Sequence, residues 1–387
     1  MFNPTKCVII PFRKSKDEIH VKLGREVIEV KDKGTHLGVV ISNSLECIKQ
    51  AVENKVQECK NMCYATQSLG SKSVPVTPKT SSKIYWSVVV PKLCYGTEVL
   101  DLDNGSTDVM EQFHCNMAKH MQRLPKNASN LGSLLTIGWE NLQSHCNFLK
   151  LLFLLQILML PISSVYKSLC IKRLCYIIYS GAVCKGPLNG IINVCKEYGL
   201  FGMTKMAVES GDYMQRKVWK QYVKDYVSEL ERKRIKTKCM MYNNLKLLDV
   251  RDFKMCVWWT HSSHNCNFIK QNEYIVRLLL NVSCYRQTIC SCCDSHMVNN
   301  VSHILFVCKA LDSIRSSLLN EVQKKSPANI IRTINRMQLE EKTRFILNAF
   351  YAPYIPEWKN MYDSVSNFIY RMIVKYETIS NNQTFSS

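Results

Sequence analysis

The chain has 387 residues, enough for two or three domains of ordinary size. A hydrophobic fraction of 46% and a mean hydropathy of -0.13 argue against both a disordered chain and a membrane-spanning bundle. The 51 Lys and Arg against 31 Asp and Glu leave a formal charge of +20, an excess that favours polyanionic partners because each cation meeting a phosphate releases a counterion.

The 19 cysteines would suit a secreted disulfide scaffold only in a small chain with a signal peptide. The opening MFNPTKCVIIPFRK offers one short apolar run, interrupted by Pro11, and no small-residue cleavage site. The expectation is an intracellular protein, nuclear or cytoplasmic, with reduced thiols. Most of these, such as Cys94, Cys170 and Cys175, read as small buried apolar residues. The Asn-X-Ser/Thr triplets at Asn127, Asn281 and Asn300 then stay unmodified.

Along the chain, DEIHVKL and EVIEV alternate about a tight turn at Gly24-Arg25, and THLGVVIS reads as a further short strand after the charged KDKG. This predicts a small antiparallel β unit. From Leu45 the period becomes helical, with Ile48, Val52, Val56 and Cys59 on one face and Ser44 as a possible cap. After a Pro-rich loop, helices are predicted from about Ser81 to Tyr95, Asp108 to Leu124 and Leu131 to Leu160, with DNGS and PKNASN as breakers. The run Asn147–Ile162 is shorter than the ~20 residues of a membrane span, holds Lys150 and meets Pro161, so it predicts a buried helix and no membrane partner. Residues 163–183 read as apolar and helical or mixed, broken by GPLNG at 186–190.

Residues 211–238 form a basic amphipathic segment. Val218, Tyr222, Tyr226 and Leu230 fall on one face, ringed by Arg216, Lys217, Lys220 and Lys224, and the segment ends in a block holding Arg232, Lys233, Arg234, Lys236 and Lys238. It reads either as a solvated helix or as a face that tracks phosphates or serves nuclear import. Two further amphipathic helices, NIIRTINRMQLEEKTRFILNAF and WKNMYDSVSNFIYRMIVKYE, precede a frayed NNQTFSS tail.

Between the basic segment and those last helices lies CSCCDSHMVNNVSHILFVC. Cys290 and Cys293 sit on a tight turn, and His303 and Cys308 lie a little more than one helical turn apart. Together they supply the four soft or borderline ligands of a closed tetrahedral Zn2+ site, which is structural because no coordination position stays open for water. Cys292 and His296 compete as alternative ligands. Catalytic constellations are lacking: there is no GxxxxGK[ST], HExxH, GxSxG or GxGxxG after a strand. Asp101 and Asp103 read as solvated turn residues, and THSSHNC, with His261, His264 and Cys266, as a polar loop.

The order FNPTKCVIIPF, hairpin, THLGVVIS, helices and a late CxxC…HxxxxC resembles the carboxy-terminal half of the reverse transcriptase of non-LTR (LINE-type) retrotransposons. KIYWSVVVPKLCYGTEVL, LTIGWENLQSHCNFLKLLFL and NVSHILFVCKALDSIRSSL carry the same likeness. The resemblance implies a mainly α chain: residual palm over 1–44, helical thumb over 45–125, helical connection over 126–250, finger region over 251–320 and C-terminal helices over 321–387. It implies that Asn3 and Lys6 belong to the lysine motif, that Leu37 and Gly38 belong to the primer-contacting hairpin, and that Cys290, Cys293, His303 and Cys308 form the nucleic-acid-associated finger. RNA or DNA would be the partner. In the family the metal-binding aspartates lie upstream of the lysine motif, and this chain begins at that motif. The expectation is a truncated element product or incomplete gene model, in which Mg2+ has a role only in the complete polymerase. A helical protein-interaction module derived from a retroelement is the alternative.

Overall fold

The computed structural model describes residues 3, 6–12, 19–67, 76–181, 186–248, 254–264, 266–282, 289–290, 292–293, 297–325, 332, 334–348 and 361–384. His296, the first residues of DEIHVKL and most of the Pro-rich loop lie outside these. Among the described residues the protein is mainly helical, with three two-stranded sheets close to the N-terminus.

Strands β2 (Lys22–Leu23) and β3 (Glu26–Val27) pair antiparallel around Gly24-Arg25 as expected. The unit is not wholly antiparallel, however. Strand β1 (Val8–Ile9) pairs in parallel with β4 (Glu29–Val30), because the intervening hairpin returns the chain alongside its own start. THLGVVIS is not one strand but the tip of a second hairpin, β5 (Lys33–His36) with β6 (Val39–Ser42), so Lys33 and Gly34 of the expected linker belong to a strand.

The β5–β6 turn places Leu37 at φ 49° and Gly38 at φ 78°. Two successive positive φ values match the right-handed twist of the flanking strands, and Gly suits them where Leu does not. Tyr95 holds the tip by donating from its hydroxyl to the Leu37 carbonyl at 2.8 Å. Replacing Leu37 by Asn should therefore raise stability by about 1 kcal/mol, since Asn tolerates this conformation and the Tyr95 bond uses only the backbone. An unchanged or lowered urea midpoint would show that the turn is not strained at Leu37.

Helix α1 (Leu45–Gln67) follows the predicted period. The helix expected over 81–95 comes in three pieces: α2 (Pro78–Ile84), a π-helical turn (Tyr85–Val89) and α3 (Val90–Cys94). Pro91 lacks an N–H and crowds the carbonyl four residues back, so the widened turn before it absorbs the misfit. Helix α4 (Asn104–Met121) starts inside DNGS instead of after it. Asp103 is its cap: the Ser106 N–H donates to Oδ1 at 3.0 Å, and hydrogen bonding from Ser106 holds the carboxyl below its ordinary range.

The long helix expected over 131–160 is two, α5 (Asn130–Ile137) and α6 (Leu142–Leu158), separated by Gly138 in the left-handed region and restarted by Asn141, which accepts from the Ser144 N–H at 2.7 Å. Helices α7 (Val165–Ser180), α8 (Pro187–Glu197) and α9 (Phe201–Ser210) follow. GPLNG thus starts a helix, because Pro at the first position needs no hydrogen-bond acceptor.

Helix α10 (Arg216–Met241) buries Trp219, Val223, Val227, Glu231, Ile235 and Cys239, an i+4 row. The predicted face through Val218 is displaced by one residue; Val218 is 54% exposed, while Tyr222, Tyr226 and Leu230 flank the buried row. Beyond it come α11 (Val257–Ser262), α12 (Ile269–Leu279), α13 (Val301–Phe306), α14 (Asp312–Lys325), α15 (Leu339–Leu347) and α16 (Tyr362–Thr384). The penultimate amphipathic segment is interrupted at Met337-Gln338, and the last helix continues through Thr384 into the expected tail.

The chain forms two compact units. One comprises 1–65, 85–114 and 141–230; Leu151, Leu154 and Leu158 of α6 pack there with Ile191, Tyr198 and Val223. The run Asn147–Ile162 is therefore a buried helix over most of its length, and no helix among the described residues is long and apolar enough to cross a membrane. The second unit comprises 66–84, 115–140 and 231–387, with Trp258, Trp259, Ile275, Leu279, Ile304 and Met372 at its centre. There the Trp258 indole donates to the Leu347 carbonyl at 2.6 Å and that of Trp259 to Gln122 Oε1 at 2.8 Å, so both buried rings satisfy their polar atoms.

Candidate metal centre

Cys290 enters the second unit on a knuckle. Its N–H donates to the Met297 carbonyl at 2.9 Å, and Ile289 bridges Val298 antiparallel, which folds the CxxC turn back on itself. Asn300 then caps α13: its side-chain oxygen accepts from the His303 N–H at 2.8 Å, fixing the first turn and the imidazole on it. Cys308 follows two residues after α13, and its N–H donates to the His303 carbonyl at 2.8 Å.

The ligand atoms of Cys290, Cys293, His303 and Cys308 all lie within 4.8 Å of one another. Cys293 Sγ is 3.5 Å from His303 Nε2. Tetrahedral Zn–S and Zn–N bonds of about 2.3 and 2.0 Å require an S···N separation of about 3.5 Å, so this edge already has the length a bound ion demands. Cys290, His303 and Cys308 are buried and Cys293 is half-buried, which sets the group just beneath the surface. These four residues can hold a metal ion, and their three thiols and one imidazole fit a closed site. No open position is left for a reacting water.

Burial and mutual repulsion set the protonation of the group. Burial pushes the Cys308 thiol up to about 12, against which the Ala310 N–H stabilises the thiolate; Cys290 and Cys293 raise it further by repulsion. Burial, with the charge of Arg315, holds His303 below its ordinary range, so the imidazole is neutral near pH 7. A protonated thiol becomes a ligand by losing its proton to solvent, whereas a neutral ring binds through a lone pair and loses none, so uptake is pH-dependent through the thiols.

Second-layer residues complete the centre. Arg315 donates through Nε to the Leu305 carbonyl at 2.9 Å and through Nη2 to the Cys308 carbonyl at 2.7 Å, and pairs with Asp312. It thereby satisfies carbonyls that the end of α13 leaves open. The Tyr376 hydroxyl lies 3.8 Å from Cys290 Sγ. Cys292 faces elsewhere: its thiol is 3.8 Å from the Tyr376 carbonyl and it does not join the four ligand atoms. An Asn three residues before His303 is a legible capping signal, but nothing in the sequence marks Arg315 or Tyr376, which arrive from α14 and α16.

The remaining predicted residues lie as follows. Lys6 lines an open cleft of about 1130 Å3 in the first unit, together with Gly38, Lys33, Lys55, Lys92 and Tyr95. The Lys6 N–H donates to the Asn3 carbonyl at 3.1 Å. Leu37 adjoins the cleft through its bond from Tyr95. Two wall lysines are paired, Lys31 with Glu29 at 2.7 Å and Lys92 with Glu58 at 2.8 Å. The α10 cations Arg216, Lys217, Lys220, Lys224, Arg232, Lys233, Arg234, Lys236 and Lys238 are all exposed, Arg234 with a bond to Glu231 at 2.7 Å.

The other candidate groups turn out to be structural. Asp101 accepts from the Gly186 N–H at 2.7 Å, and Asp103 is the cap of α4, so neither is a free turn carboxylate. His261 lies on α11 and not in a loop, with Nε2 2.6 Å from Asp363 and Nδ1 3.1 Å from Asn272. Cys94 is buried, whereas Cys170 and Cys175 are only half-buried. No known protein family matches the chain, nor does any curated protein or solved structure.

Proposed function

We propose that the chain is a nucleic-acid-binding portion of a non-LTR retrotransposon reverse transcriptase, built around a structural zinc finger. The convergence of Cys290, Cys293, His303 and Cys308 carries this reading, because four closed ligands serve folding and binding and leave nothing for catalysis. Three further observations support it. Lys6 and the hairpin tip at Gly38 face one cleft, as a lysine motif beside a primer grip would. Helix α10 turns its cations to solvent. The formal charge of +20 suits RNA or DNA.

Affinity measured against salt tests the nucleic-acid half of the proposal. Binding should weaken linearly on a log–log plot, with a slope of about -0.7 to -0.9 per phosphate contacted. The double substitution Lys220→Glu and Lys224→Glu should make that slope shallower by about 1 to 2. No binding at low salt, or binding indifferent to salt, would refute the reading.

A further inference from the structure

We propose that the outward face of α7 is a stacking platform for single-stranded nucleic acid, with Tyr176 and Tyr179 meeting bases and Lys172 and Arg173 meeting phosphates. The inference rests on the nucleic-acid reading above and assigns a surface to it. Helix α7 buries only Leu174 and Ile177. Tyr176 and Tyr179 are 52% and 58% exposed, unusual for rings that ordinarily bury most of their area and bond their hydroxyls.

Cations are held against these rings. The Arg173 guanidinium lies 5.5 Å from the centre of the Tyr176 ring, and the Lys205 ammonium 5.0 Å from that of Tyr179. Glu209 stands 3.9 Å from Lys205 and shares that cation, while Lys172 and Arg173 remain exposed beside the rings. Between Glu140 and Glu197 the chain carries Lys150, Lys167, Lys172, Arg173, Lys185 and Lys196 and no carboxylate at all. A phosphate backbone approaching α7 therefore meets the helix's own cations, Lys172 and Arg173 among them, and no acid on the helix itself.

Single strands fit better than duplexes because only unpaired bases expose faces on which a ring can stack. Tyr176 and Tyr179 are three residues apart, which sets their Cβ atoms about 5–6 Å from each other on one side of the helix. Val165 and Leu169, also exposed, would suit a lipid interface. The ring–cation pairs and the acid-free segment favour a polyanion read through its bases, and a vesicle arm separates the two.

The test uses the full chain carrying Tyr176→Ala and Tyr179→Ala, with the matching double Phe variant beside it. Labelled oligouridylate should bind the Ala variant at least about tenfold more weakly than the wild type, the loss of one stacked base or more. Affinity for duplex should hold, and the Phe variant should bind like the wild type because it keeps the rings. Unchanged single-strand affinity in the Ala variant would overturn the α7 platform while leaving the nucleic-acid reading standing. An equal loss in the Phe variant would also overturn it, since hydroxyls and not rings would then be responsible. If the Ala variant instead loses only binding to phosphatidylserine vesicles, the face is a membrane contact and the proposal fails. A wild-type chain that binds no oligonucleotide sinks both readings together.

Discussion

On the zinc-finger reading proposed above, replacing Cys308 by Ser is expected to cost the protein one bound zinc and to loosen the group around Cys290. Cys308 is wholly buried, its carbonyl is held by Arg315, and its thiol faces those of Cys290 and Cys293. A serine hydroxyl is a poor zinc ligand, and removing one of four ligands from a closed site leaves the other three buried without their ion. Structural zinc in small fingers supplies on the order of 10 kcal/mol at neutral pH, so much of the stability of the finger goes with the metal. Metal analysis of the purified protein and a thermal melt with and without a chelator check this. Cys292→Ser is the control and should keep its zinc, because Cys292 stands outside the ligand group. Folded wild-type protein free of zinc, or zinc retained by Cys308→Ser at full occupancy, would refute the assignment. Acid should release the ion in the wild type, as protons compete for the thiolates and for His303.

The second large effect is expected at Gly138. Its φ is 75°, and a Cβ there would stand 2.4 Å from the backbone nitrogen of Met255 and 2.8 Å from the Lys254 carbonyl carbon. Both obstacles are backbone and cannot rotate away. The same approach lets the Cys256 N–H donate to the Thr136 carbonyl at 2.9 Å, joining the end of α5 to the start of α11. Gly138→Ala combines about 1–2 kcal/mol for the left-handed conformation with the loss of that bond and the displacement of the strand-like segment before Trp258. A loss above about 3 kcal/mol is therefore expected from chemical denaturation. Gly181 provides the comparison: its φ is 61° but nothing lies within 4 Å of an added Cβ, so Gly181→Ala should show only the conformational part. Equal losses at the two positions would disprove the close approach at Gly138.

The two predictions differ in how far the sequence foreshadows them. CxxC followed by HxxxxC points to the ligand group, with Cys292 and His296 as competitors, since a tight turn and a short helix bring such residues together by local geometry. Gly138 is different. The apolar run from Leu131 to Leu160 reads as one helix because the hydrophobic period continues through Gly138 and Trp139, and only the packing of Met255 against that glycine requires the break. Helix α10 shows the same limit. Its amphipathic character is plain, yet the buried row runs through Trp219 and Val223 instead of Val218 and Tyr222, a choice made by the neighbours it packs on.

By itself the sequence determined the helical class, the first hairpin's turn at Gly24-Arg25, the candidate ligand set and the excess of positive charge, all properties set by neighbours within about one turn or by composition. Tertiary structure alone decided that Cys292 turns to Tyr376, that Arg315 closes the end of α13, and that the tyrosines of α7 stand in solvent with cations beside them. Those outcomes depend on residues tens of positions away, and burial there is settled by which faces meet, something no local period encodes.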